Sequence, residues 1–551
     1  MKTKFKKAAH RVLAFTFALM MLFVLMSWLS GCGSKDDGGS GSATAEETLK
    51  FGLPNEIGSL DSAFAYDFTT NPVVTNISEG LLVLDADGEL QPLIAESWEA
   101  VDETTYVYNI RDDVTFSDGS AMTMDDVLFS LERYGDEELA SYLAWMYDNV
   151  ESIEQTDDWQ VTVKLSAPDA FWQYVPATTA GHIHKQAAVE EAGEEYGTVN
   201  AYPVATGPYP VSAWAAGGDI TLTYNENYWR AGDSQPDVKE IIIQYIPEDT
   251  TRSLAAQSGQ IDIDFSTPSD LVADIEASEK ATIISPDCPG IGFLAFNCQT
   301  EPFNDVNARR AVASAINVAV LQESFVREEG TLTNYTMVPD VLFMFEPEKW
   351  DTFVESVTKY PYDLTQAKAY LAASAYPNGF DCTLLVDEYT ISNNVALAIQ
   401  SSLKEIGVNV TLDKRSNEEV TNQQFGEGIV DGVRPYQFGI FEWVSDFPDP
   451  AGVLNPLLIA SNGGEGGSNA ADYRNDKVDE LLQQQLEEAD SATRVDLLIE
   501  AEQIVQSEQP YYVLWQKSWL FTISTRIANP EDVLNANYIW NFSAYDIQFA
   551  E

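Results

Sequence analysis

The side chains able to do chemistry are few and poorly grouped. The chain has three histidines in 551 residues. His182 and His184, in the stretch HIH, fall on one side of an extended segment and so offer two imidazoles to a metal. No third ligand lies beside them in sequence, and a pair of core or surface histidines is the plainer reading. Ser356-Val-Thr-Lys359 has the SxxK spacing of an activated serine, but the SDN and KTG partners of that motif are missing. Besides Cys32 the cysteines are Cys288, Cys298 and Cys382, an odd set that cannot pair completely within the chain. One disulfide and buried free thiols are both open readings. There is no GxxxxGK phosphate loop, no GxSxG elbow, no HExxH and no GxGxxG. The chain reads as a non-enzyme, with no metal and no cofactor.

One thiol does have a chemical setting. Residues 12–29 are almost wholly apolar, and Lys2, Lys4, Lys6, Lys7 and Arg11 precede them with no acid in the first 31 residues. A basic start followed by an apolar stretch is an export signal. The small residues Ser30 and Gly31 then lead to Cys32, and LSGC resembles a bacterial lipobox, whose cysteine takes a diacylglycerol and becomes the new N-terminus. The expectation is a lipoprotein signal peptide over 1–31, with an uncleaved membrane anchor as the alternative. Residues 32–47 are then the acylated Cys32 and a flexible tether rich in glycine and serine. The folded body is expected on the extracytoplasmic face of a bacterial membrane, held there by lipid.

That body is strongly acidic. The 87 acids against 30 bases give a net charge of −57, and loss of the five leader bases takes it to −62. Such a surface repels nucleic acid and anionic lipid, which argues against both as partners; attraction of cationic ligands, solubility and salt adaptation are all open readings of the charge. About 500 residues exceed one ordinary domain, so two or three lobes are expected. Strands and helices mix throughout. Trp159, Val161, Val163 and Leu165 alternate as on a half-buried strand, as do Ile220, Leu222 and Tyr224. Val312, Ala315, Ile316, Ala319 and Val320 form a helical stripe that Asp305 can cap. Two further stripes, Val478 to Leu486 and Val495 to Val505, flank a restart at Asp490 and Ser491, and 462–469 is a glycine-rich loop.

Ten stretches taken in order carry a family resemblance. They are GSLDSAFAYD (58–67), EGLLVLDADGELQPLIAESWE (79–99), YNIRDDVTFSDGSAMTMDDVLFSLER (108–133), ATGPYPVSAW (205–214), YNENYW (224–229), SGQIDID (258–264), EPFNDVNARRAVASAIN (301–317), YPYDLTQAKAYLAASAYPNGF (360–380), LKEIGVNVTL (403–412) and WVSDFPDP (443–450). Together they resemble the extracellular solute-binding proteins of family 5, the dipeptide- and oligopeptide-binding components of ABC importers. The resemblance implies a bilobal α/β fold of the periplasmic-binding-protein or Venus-flytrap kind, with an extra subdomain on the first lobe. Carried onto this chain, lobe I takes 48–80, 203–296 and 514–551, its subdomain 81–202, and lobe II 297–513. FLAFN (293–297) and PYYVLW (510–515) are the expected hinge strands.

The implied function is capture of a peptide for an ABC permease, with ATP hydrolysed by partner subunits. In peptide-binding members the aspartate of a Trp-x-x-Asp motif pairs with the ligand's α-ammonium, which here points to Asp446, with Trp443 opening the motif. Asp449 is expected to be structural. Tyr66, Tyr389 and Trp443 are the implied cleft aromatics. Some dipeptide binders hold the ligand carboxylate with an arginine near LLVDEYTISNN (384–394), but this chain offers Asp387 and Glu388 there and no base. That favours longer peptides held by their backbone, or ligands with extra positive charge. A nickel complex, an opine or a glycan as ligand, and a peptide sensor that does not transport, are the alternatives.

Overall fold

The computed structural model describes residue 44 and residues 46–550, apart from 233, 234, 334, 344, 431 and 489. The expected signal peptide, Cys32 and nearly all of the tether lie outside the described residues. Residues from 45 onward form one unit, built on two large sheets.

The first sheet has seven strands, in spatial order Ala281–Ile284, Phe521–Ser524, Ile263–Asp264, Thr48–Leu53, Glu240–Tyr245, Ile220–Thr223 and Val211–Trp214. Thr48–Leu53 runs parallel to both of its neighbours, so its Leu49, Phe51 and Leu53 are deeply buried. A four-stranded antiparallel sheet, Ala95–Asp102, Thr105–Ile110, Gln160–Leu165 and Val150–Asp157, belongs to the expected subdomain and shares the first sheet's core. Val161, Val163 and Leu165 are its buried alternating residues, as their spacing predicts.

The second sheet has six strands, in order Gly330–Thr331, Tyr511–Ser518, Asp287–Phe296, Phe438–Val444, Asp381–Val386 and Asn409–Lys414. Its two faces are covered by separate cores. Ile291, Phe293 and Ala295 enter one, while Leu294 and Phe296 enter the other. Helices Val306–Ser314, Leu364–Ala373 and Thr390–Lys404 cover the second of these faces; Pro347–Ser356, Ala451–Leu458, Asp476–Leu486 and Ser491–Glu508 cover the first. Asp305 and Asp490 accept backbone N–H groups at the starts of their helices, as expected. The stripe after Asp305 is shorter than expected. The helix ends at Ser314 and Asn317 caps a new turn, Val318–Leu321, which leaves Val320 exposed.

Sheet membership differs from the expected ranges at two stretches, 287–296 and 514–518. Asp287–Phe296 and Tyr511–Ser518 hydrogen-bond to each other inside the second sheet, so the chain passes between sheets at 285–286 and again at 519–520. Cys288, Cys298 and Cys382 are all free thiols, and burial raises the pKa of each. Among the described residues no helix is long and apolar enough to cross a membrane.

Candidate functional site

Strand Phe438–Val444 delivers the Trp-x-x-Asp motif to the end of the second sheet. Ser445 turns the chain: its N–H donates to the Pro289 carbonyl (2.8 Å) and its hydroxyl to the Phe447 carbonyl (2.7 Å). Helix Ala451–Leu458 then packs so close that a Cβ on Gly452 would lie 2.0 Å from the Ser445 hydroxyl, so only glycine fits. Trp443 donates its indole N–H to the Gly452 carbonyl (2.9 Å), tying the strand to this helix.

Asp449 is buried and held by both terminal nitrogens of Arg494 (2.7 and 2.8 Å). Burial works against the Arg494 charge, and Asp449 more than restores it, so its pKa is raised. Asp449 also accepts the Ala451 N–H (2.8 Å) and is structural, as expected.

Asp446, three residues earlier, is different. It is half-buried, and its carboxylate accepts one side-chain hydrogen bond, from the Tyr66 hydroxyl at 3.0 Å. Its backbone carbonyl takes the indole N–H of Trp540 (2.7 Å). Among the described residues no lysine, arginine or histidine forms an ion pair with it. Burial pushes its pKa up to about 6, and the Tyr66 hydrogen bond only partly offsets this. Tyr66 is 38% exposed, edge-to-face with Trp145 at 6.5 Å. Its segment is fixed from below: Asp61 caps the preceding turn Ser62–Phe64 and forms a buried two-point ion pair with Arg133.

The structure thus brings Tyr66 and Asp446 into contact, whereas the Trp443 ring packs on Phe425 (6.3 Å between centroids) and the second-lobe core. Tyr389, Asp387 and Glu388 lie elsewhere, at the start of helix Thr390–Lys404. Asp387 accepts the Tyr389 N–H (2.9 Å), the Glu388 N–H donates to Asn417 (3.2 Å), and Tyr389 is 62% exposed. Sequence reasoning missed the neighbours of this second group. Lys517 pairs with Glu442, and both charges act on Asp387, whose pKa burial raises. The base that acts on Asp387 therefore comes from strand Tyr511–Ser518, and it is already paired with Glu442. No local motif signals it, because it arrives by sheet pairing.

His182 and His184 are bonded inside the core. His182 bonds to Ser78 (2.7 Å), and His184 to Ser62 (2.6 Å) and Tyr196 (2.9 Å). Burial lowers their pKa values to about 3 and about 4, so both are neutral core residues. Ser356 donates to the Phe353 carbonyl of its own helix (3.1 Å). Among the described residues no cluster of histidine, cysteine and acidic side chains can hold a metal.

Comparison with known proteins bears on the fold and the family. The chain is 25% identical over 477 residues to the glutathione-binding protein GsiB of Escherichia coli, covering 86% of this chain and 89% of that protein. It superposes on the periplasmic binding protein DppA of Helicobacter pylori, solved with the peptide STSA, with a TM-score of 0.74, 22% identity, and coverage of 92% and 98%. The oligopeptide-binding protein AppA of Bacillus subtilis, solved with a nonapeptide, gives a TM-score of 0.72 at 18% identity, covering 92% and 99%. The fold is the bilobal α/β flytrap. The family model described as bacterial extracellular solute-binding proteins, family 5 Middle, matches residues 89–465, and the chain belongs to this family of extracytoplasmic binding proteins, which are not enzymes.

Proposed function

We propose that this protein captures peptides outside the cytoplasm and delivers them to an ABC permease, with Asp446 receiving the peptide's α-ammonium. The observation that carries the reading is the Asp446 carboxylate itself: half-buried, bonded to the Tyr66 hydroxyl and, among the described residues, without an ion-pair partner. Desolvation makes such a group costly until a cation arrives, and pairing in low dielectric then favours the complex. Peptide ligands in DppA and AppA, and glutathione in the name of GsiB, support the same class of solute. Tyr66 and Trp443 frame the ammonium site, while Tyr389, Asp387 and Glu388 form a more distant wall together with Glu442 and Lys517. The lobes meet at a hinge through 285–286 and 519–520, and closure about the ligand is driven by contacts to both faces. Cys32 carries the lipid that keeps the protein at the membrane, and Cys32→Ala is expected to release it or leave its signal uncleaved, as fractionation and mass spectrometry would show.

The test of the ammonium site is acetylation. Peptides that raise thermal stability are selected, and each is titrated by calorimetry as the free and the N-acetylated form. Wild type is expected to lose about a hundred- to a thousandfold in affinity on acetylation, the factor that breaking one side of a buried charge pair implies. Asp446→Asn binds both forms equally weakly. Equal affinity of wild type for the two forms refutes Asp446 as the ammonium site.

A further inference from the structure

The residue after Asp446 leaves its own lobe. Phe447 continues the chain from a strand of the second sheet, yet it is 2% exposed and packs into the core of the first. Its ring stacks on Phe171, with centroids 5.3 Å and planes 23° apart, and on Tyr174, at 5.8 Å and 22°. Trp145 closes the socket at 6.0 Å. All three come from the segment 81–202. Two residues further on, Asp449 is tied to Arg494 of the second lobe. The short span 445–449 therefore has an anchor in each lobe, and Asp446 is the residue directly before the first of them. A side-chain circuit runs back to it: Phe447 touches Trp145, Trp145 touches Tyr66, and Tyr66 donates to the Asp446 carboxylate.

We infer that Phe447 is a positioning residue for ligand capture, seated among Trp145, Phe171 and Tyr174 so that the Asp446 carboxylate is held between the lobes. The ring is too buried to touch a ligand. Its effect is on the equilibrium between open and closed arrangements. Lobe separation draws the ring out of its socket and exposes apolar surface to water, which resists opening. When the binding-competent arrangement is only partly populated, apparent affinity falls in proportion to its population. Loss of the ring thus weakens every ligand by one common factor and leaves discrimination at Asp446 unchanged.

Small-angle scattering of the ligand-free protein reads the equilibrium directly, whatever the ligand is. Phe447→Ala is expected to enlarge the radius of gyration and Phe447→Leu to enlarge it less. Phe171→Ala is expected to act like Phe447→Ala, and the double variant to add little, because both changes empty one socket. The second arm rests on the peptide reading and uses tri-alanine and N-acetyl-tri-alanine as probes. Phe447→Ala is expected to weaken both about tenfold or more while keeping the wild-type ratio between them. A radius unchanged in Phe447→Ala and Phe447→Leu overturns the inference, as does full additivity with Phe171→Ala or a ratio that collapses to one. If the alanine variant does not fold, Phe447→Leu and Phe171→Leu answer the same question. If wild type ignores tri-alanine, the peptide reading is weakened, and the scattering arm still decides the role of Phe447.

Discussion

Asp446 and Asp449 lie three residues apart in one loop, and the two carboxylates have opposite surroundings. Asp449 is fully buried and meets an arginine at two points. Asp446 keeps some contact with solvent, meets a single side-chain hydroxyl and, among the described residues, forms no ion pair, and its pKa is pushed up to about 6. A buried charge whose partner is in the chain is satisfied before any ligand appears, so it serves the fold. A desolvated charge whose partner is missing is unsatisfied until something cationic arrives. The missing partner, more than burial, is what separates the two aspartates, and it is the ground on which Asp446 is proposed as the binding group.

The comparison breaks first on stability. Asp449→Asn leaves the Arg494 guanidinium buried without its counter-charge, and a loss of about 3–5 kcal/mol is expected in denaturant unfolding. An effect below 1 kcal/mol would make Asp449 as dispensable as a surface acid. Asp446→Asn is expected to act in the opposite direction on the ligand-free protein. A carboxyl whose folded pKa lies above the ordinary 3.8 favours its protonated form, so its charge costs stability above pH 6. Removing that charge is expected to stabilise the ligand-free protein by about 1–2 kcal/mol at pH 7. The wild-type contribution improves as pH falls from about 6 toward 3.8, and the variant lacks this improvement.

Binding sharpens the same contrast. Because the ammonium needs the ionised carboxylate, affinity is expected to fall up to about tenfold for each pH unit below 6. Calorimetry from pH 7.5 to 5 would show it, and a flat profile would remove Asp446 from the binding step. The smallest effect belongs to Tyr66→Phe. It deletes the one hydroxyl that lowers the Asp446 pKa, so the midpoint of the binding profile is expected to move upward by a fraction of a unit, at a cost of about 1 kcal/mol or less.

The parts of the molecule legible in the sequence are those encoded by near neighbours. Asp305 and Asp490 announce helix starts because a cap acts within three residues. The alternation of Val161, Val163 and Leu165 announces a strand for the same reason. Asn317 shows the limit: the apolar stripe runs through it, but its side chain bonds to the Val320 N–H and starts a new turn. The Trp-x-x-Asp stretch was legible only through its family resemblance, because nothing local separates Asp446 from Asp449. What distinguishes them comes from Tyr66 and Arg494, distant in sequence and absent from any local pattern. Lys517 and the Phe447 socket were hidden for the same reason, since each is assembled by the register of strands and loops from separate segments.

The order of strands in the two sheets also constrains how the chain comes to be folded. Phe521–Ser524 lies between Ala281–Ile284 and Ile263–Asp264 in one sheet, and Tyr511–Ser518 lies between Gly330–Thr331 and Asp287–Phe296 in the other. Each sheet therefore has an internal vacancy that only residues beyond 510 can fill. A chain threaded outward from its N-terminus holds both cores incomplete until that late stretch has emerged, and its contacts are then overwhelmingly non-local, the condition for slow folding. Through that interval the excess of acids keeps the unfinished chain apart from its copies by mutual repulsion, so the charge also protects the polypeptide from aggregation before either core is complete.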